Sequence, residues 1–154
     1  MLGVDPAVAV NFSSCSASVG LAFNAAQDEY HPTYLYVGAL LERDIRVLIY
    51  VGKHDWICNW VGNEHWTLAL EWDQGDAFRA EALRDWKVGG KVAGSTRSMG
   101  GLTFATIDGA GHMVRVAVWV DKYSHSTFCA LQVPYDKPKE SLELVKRWLA
   151  GKEL

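Results

Sequence analysis

The chain has 154 residues, 49% of them hydrophobic and 21% charged, which fits one folded domain with its own core and excludes a disordered chain. A formal net charge of −3 gives no basic surface for nucleic acid. No apolar run reaches the roughly 18–20 residues that a membrane-spanning helix needs.

At the amino terminus, MLGVDPAVAVNFSSC lacks a basic start followed by a long apolar block, so it does not read as a secretory signal. Yet Asn11-Phe12-Ser13 is an N-glycosylation acceptor pattern, which matters only in a secretory protein. Three cysteines, Cys15, Cys58 and Cys129, leave at least one without a partner inside the chain. A missing amino-terminal part would reconcile these observations.

Residues 16–23 form a short helix at best. Pro32 suits a helix start, and 33–43 follows with Leu35, Val37, Leu40 and Leu41 as an apolar stripe. Val47–Val51 is a β-branched and apolar run ended by Gly52, the pattern of a strand buried on both faces in a parallel sheet. A helix is predicted over 59–70, with Trp60, Trp66 and Leu70 as its contacts, and a further short helix over 78–86. Gly89-Gly90 marks a turn. The runs 92–98 and 102–107, joined by Met99-Gly100-Gly101, predict a hairpin. Residues 141–149 close the chain as a helix, with Leu142, Val145, Trp148 and Leu149 repeating at helical spacing. The class is α/β, with two or three strands.

Two loops follow predicted strands directly: Gly52-Lys53-His54-Asp55 and Asp108-Gly109-Ala110-Gly111-His112-Met113. In open α/β sheets, functional groups gather at the carboxyl ends of strands. An acid on one loop accepts the Nδ1–H of a histidine on the next, fixes its tautomer and stabilises the imidazolium formed during proton transfer. The order of acid before histidine is that of the α/β-hydrolases. Spacing alone leaves the ordinary alternative open, in which the acid makes a turn or caps a helix and the histidine is structural.

The stretch DIRVLIYVGKHDWICNWVGNEHW resembles the segment around the acid of serine carboxypeptidases, in particular the carboxypeptidase Y branch. FATIDGAGHMV is similar to the second signature of that family, Gly-x-Gly-His-Met-Val-Pro. LGVD near the start and SLELVKRWLAG at the end resemble its flanking segments. The likeness implies the carboxyl-terminal portion of an α/β-hydrolase fold, with Asp55 as triad acid and His112 as general base. It implies Cys58 as an unpaired cysteine beside the site and Met113 as a wall of the pocket for the leaving residue. Cys15 resembles a cysteine bridged to a partner far upstream, and Asn59 and Trp60 shape the loop. Cys58 also fits a small buried apolar position. Peptides are the implied substrates, no cofactor is expected, and the family has vacuolar and secreted members.

His54, Asp55, Cys58 and His65 could also be read as metal ligands. No Cys-x₂-Cys or His-x₃-His pair is present, so no metal is expected and both histidines are assigned to the surface.

Two departures from the family pattern stand out. Residues 1–154 contain no Gly-x-Ser-x-Gly elbow to present a nucleophile, and Ser13, Ser14, Ser16 and Ser18 lie in no such context. The likeness is therefore to the carboxyl-terminal part of the enzyme, and the chain alone is expected to be inactive. The second departure is the stretch 115–133, RVAVWVDKYSHSTFCALQV, which separates His-Met-Val from Pro-Tyr-Asp. Its removal restores the signature, so it reads as a retained intron of nineteen codons or a lineage-specific insertion; a transcript lacking those codons separates the two. His125 and Cys129 lie inside it and are given no function. The alternatives are an esterase or lipase on the same fold, which would not predict the Cys-Asn-Trp and His-Met-Val contexts, and a truncated, non-catalytic product.

Overall fold

The computed structural model describes residues 16–112 and 133–154. The chain divides into two compact units, residues 1–33 and 34–154. The first carries α1 (Ala17–Ala25) and a single 3₁₀ turn, Asp28–Tyr30. Helix α1 buries none of its residues, and Val19, Leu21 and Phe23 are exposed.

The second unit runs α2 (Tyr34–Leu41), β1 (Val47–Gly52), α3 (Trp60–Ala69), α4 (Gly75–Ala80), β2 (Arg84–Val88), β3 (Lys91–Met99), β4 (Leu102–Ile107), α5 (Val133–Asp136) and α6 (Pro138–Leu149). The four strands among its described residues make one mixed sheet in the order β1-β4-β3-β2. The β3–β4 hairpin turns through Gly100 and Gly101, both at positive φ, as their sequence suggests. Strand β1 then lies parallel to β4, with Val47 opposite Leu102 and Gly52 opposite Ile107. Because the two strands end level, the loops that leave them start side by side.

All six residues of β4 are buried. Alternation along the strand sends Leu102 and Phe104 to one face, against Leu41, Leu70 and Phe78. Ala105 and Ile107 go to the other, against Trp86, Ala93 and Leu144 of α6. Helices thus flank both faces, and the architecture is α/β.

The sequence reading is corrected at four places. The helix expected over 78–86 is instead α4 followed by strand β2. Trp86 inserts from β2 and donates its indole N–H to the Thr106 carbonyl at 2.9 Å, a bond that its place in the sheet makes available. Gly94 admits that contact, since a Cβ there would lie 1.9 Å from the Thr106 oxygen. Among the described residues there are consequently four strands rather than two or three. Strand β1 is not buried on both faces, because it stands at the sheet edge: Val47 to Ile49 are half-buried and Tyr50 is 40% exposed. In α6 the expected apolar stripe faces outward at Leu142, Val145 and Leu149, while Ser141 and Leu144 form the buried contact.

Two arginines fasten the unit. Arg46, just before β1, donates to the carbonyls of Trp148 and Leu149 at the end of α6 and lies 4.9 Å over the Trp148 ring. Arg97 is buried in β3, pairs with Glu64 of α3 at 3.0 Å and sits over the Phe78 ring.

Candidate active site

The site is built where β1 and β4 end. Lys53 N–H donates to the Ile107 carbonyl at 3.0 Å and His54 N–H to the Ala110 carbonyl at 2.9 Å, so the two loops are bonded backbone to backbone. Gly52 makes this approach feasible, because a Cβ there would lie 2.2 Å from the Ala110 oxygen. The Asp55 N–H closes a turn on Gly52 O at 3.1 Å and directs the carboxylate under the second loop.

Asp55 is buried, its side chain 4% exposed. Oδ1 accepts the Cys58 N–H at 2.8 Å, and Oδ2 lies 2.7 Å from His112 Nδ1. An ionised carboxylate only accepts hydrogen bonds, so Nδ1 carries the proton and Nε2 is left as the basic nitrogen. The His112 side chain is 35% exposed and reaches the surface that Asp55 does not. This is the arrangement expected of a carboxylate that orients a proton-transferring imidazole. Asp55 and His112 come from positions 57 residues apart.

The acid loop is locked onto α3. Asn59 caps the helix by accepting the Gly62 N–H at 2.8 Å. Asn63 Nδ2 donates to the carbonyls of Cys58 and Asn59, both at 3.0 Å, and its Oδ1 accepts the Trp66 indole N–H. Lys53 and Asp108 join the two loops by an ion pair of 2.8 Å.

A cavity of about 380 Å³ opens over the pair, walled by Tyr50, Val51, Asp55, Cys58, His112 and Pro134. Three other cavities, of about 350 to 420 Å³, lie elsewhere and contain neither Asp55 nor His112.

Cys58 is exposed rather than buried, which corrects its reading as a small core residue, and its thiol is free. Partial desolvation, and then the neighbouring Asp55 carboxylate, push this thiol above its ordinary range. It therefore stays protonated at neutral pH and is a poor nucleophile there. Asp55, Cys58 and His112 offer oxygen, sulfur and nitrogen atoms within 4.8 Å of one another. That is a three-donor set, one short of the four ligands of a structural zinc site. His54 and His65, the other ligands considered from sequence, are exposed and outside this set. Met113, Asn11 and Cys15 lie outside the described residues, as do Ser13, Ser14 and nearly all of 115–133.

Asp55, Cys58 and His112, the residues named from sequence, are brought together around one cavity, and they are joined there by Asn63 and the Lys53–Asp108 tie, which the sequence reading did not name. Asn63 sits four residues beyond the cap Asn59, a spacing that returns its amide to the loop carbonyls; that was the available signal.

The family model described as serine carboxypeptidase matches residues 1–151. Carboxypeptidase Y of Candida albicans is 36% identical over 140 residues, covering 91% of this chain and 22% of that protein. A vacuolar serine-type carboxypeptidase of Saccharomyces cerevisiae is 36% identical over 143 residues, covering 92% of this chain and 24% of that protein. The crystal structure of a prohormone-processing carboxypeptidase from Saccharomyces cerevisiae aligns with 51% of this chain and 18% of that one, at 24% identity and a TM-score of 0.46. The chain thus spans less than a quarter of the length of these two relatives.

Proposed function

Since the chain belongs to the serine carboxypeptidase family, we propose that residues 1–154 supply the acid and the general base of a Ser–His–Asp triad that releases carboxyl-terminal amino acids from peptides. The observation that carries this is the 2.7 Å bond between Asp55 Oδ2 and His112 Nδ1, made by a buried carboxylate beneath an open cavity. In this reading His112 Nε2 takes the proton of a serine hydroxyl as it attacks the last peptide bond. It then delivers that proton to the departing amine, while Asp55 stabilises the imidazolium between the two transfers. Cys58 and Met113 line the leaving-residue side. Asn11 carries a glycan, and Cys15 pairs with a cysteine outside residues 1–154.

The serine is contributed by residues beyond this chain, together with the donors that stabilise the oxyanion. The outer edge of β1, which no strand among the described residues covers, supports that. Its run Val47-Leu48-Ile49-Tyr50-Val51 has no charge, proline or bulge to protect an open strand, and its other edge is already paired in parallel. A further strand beside it would bury what is now half-exposed. Residues 115–133 are an insertion or a retained intron in this reading. Pro134, just past it, lines the same cavity as His112, and Asp136 bonds to Gly111 just before it. A relative named as vacuolar, together with the acceptor pattern at Asn11, supports a vacuolar address.

The absence of a Gly-x-Ser-x-Gly elbow favours a second reading, in which these 154 residues alone are a non-catalytic product. Both readings make the same prediction for the isolated chain: no release of the terminal amino acid from a blocked dipeptide. The longer protein containing this segment separates them, because only the first expects release there. Turnover by the purified 154-residue chain would contradict both.

A further inference from the structure

The peptide that delivers His112 is held at both of its polar ends. The Ala110 carbonyl accepts the His54 N–H at 2.9 Å, and the N–H of the same peptide, on Gly111, donates to Asp136 Oδ2 at 3.3 Å. Below it lies Gly52, where a side chain would collide with the Ala110 oxygen and the Gly111 nitrogen. The plane is thus fixed from the β1 side by backbone and from the α5 side by one carboxylate. A peptide plane bonded on a single side can rotate, and rotation here would swing the following residue. Lys53 adds a more exposed restraint at the other end of the loop through Asp108.

We propose that Asp136 is a positioning residue for His112: its carboxylate fixes the Ala110–Gly111 peptide and so holds the imidazole against Asp55. Asp136 does not line the cavity and touches neither ring nitrogen of His112, so it acts only through the backbone. Its place, 25 residues after Gly111, means that the site is completed from beyond the 115–133 stretch. The inference rests on reading Asp55 and His112 as the acid–base pair.

The test uses the full-length protein, with kcat and KM measured on a blocked dipeptide and the downfield Nδ1–H proton of His112 followed by NMR. Asp136→Ala lowers kcat about tenfold with KM within about twofold, as small misplacements of a reacting group do, and weakens the Nδ1–H signal. Asp136→Asn keeps an acceptor oxygen and retains both kcat and signal. An Asp136→Ala protein that matches the parent in both readouts overturns the proposal. So does an Asp136→Asn protein as impaired as Asp136→Ala. Should Asp136→Ala fail to fold, Asp136→Ser, too short to keep the bond to the Gly111 N–H, takes its place, a weakened signal supporting the clamp and an unchanged one overturning it. Asp55→Asn separates the two levels. A signal that survives this change contradicts the acid–base pair itself. Loss there, with persistence in Asp136→Ala, contradicts only the positioning role.

Discussion

Replacing Asp55 by Asn in the full-length protein lowers kcat by about 10⁴-fold, the scale at which a misassigned imidazole tautomer costs a serine hydrolase. The change is nearly isosteric, so the fold survives and only the proton inventory differs. Asp55 now accepts from two donors, the Cys58 N–H and the His112 Nδ1–H. An asparagine has one acceptor oxygen. If it keeps the Cys58 bond, its amide group donates toward Nδ1, and the imidazole proton must move to Nε2. The nitrogen that should take the serine proton is then already protonated. If the amide flips, Cys58 loses its partner and the acid loop is released from its turn. The first outcome removes the basic nitrogen, and the second keeps it but loosens the loop that orients it. Steady-state kinetics on a blocked dipeptide, with circular dichroism as a control for folding, check this; kcat within tenfold of the parent would contradict it.

Replacing Glu64 by Ala destabilises the protein by about 3 kcal/mol, with little effect on the chemistry. The Arg97 and Glu64 side chains are 9% and 16% exposed, and Arg97 also lies over the Phe78 ring and donates through Nε to the Glu81 carbonyl. Removing one partner of such a pair strands a buried charge, which costs about 3–5 kcal/mol. The bond to Glu81 keeps the effect at the lower end of that range. The double change Glu64→Leu with Arg97→Met removes both charges and restores most of the stability, because neither desolvation penalty remains. Urea unfolding midpoints at unchanged m-value measure both. A double variant no more stable than Glu64→Ala would show that packing by Arg97, rather than its stranded charge, sets the cost.

What the sequence revealed and what it hid divide along a physical line. Strand β1, strand β4 and the two loops after them were legible because each is announced locally, by a run of strand-forming residues with a glycine at or just beyond its end. The β3–β4 hairpin was announced by Gly100-Gly101. Trp86 was misplaced because a single large apolar residue among Arg84, Asp85 and Lys87 fits a helical period as well as a strand. Its partner, the Thr106 carbonyl, lies 20 residues away. An exposed edge on β1 follows from the likeness of residues 1–154 to only part of a larger sheet, whereas the exposure of the outer face of α6 could not be read, since it depends on which surfaces find a neighbour. The clamp on the histidine loop was hidden for the same reason. Gly52 and Lys53 meet it from the end of β1, placed there by the register that sets Gly52 beside Ile107, and Asp136 meets it from α5. Cys15 and Met113 fall outside the described residues and remain expectations from the family resemblance, and Asn11, also outside them, remains one from its acceptor pattern.

The central claim is that His112 serves a serine lying outside these 154 residues. The most direct measurement is labelling of the full-length protein with a serine-reactive fluorophosphonate, with the modified peptide mapped and the rate compared with that of His112→Ala. The account predicts one labelled serine outside residues 1–154, modified rapidly in the parent and at least about 10³-fold more slowly without the imidazole. A label on a serine within residues 1–154, or equal rates in the two proteins, would contradict it.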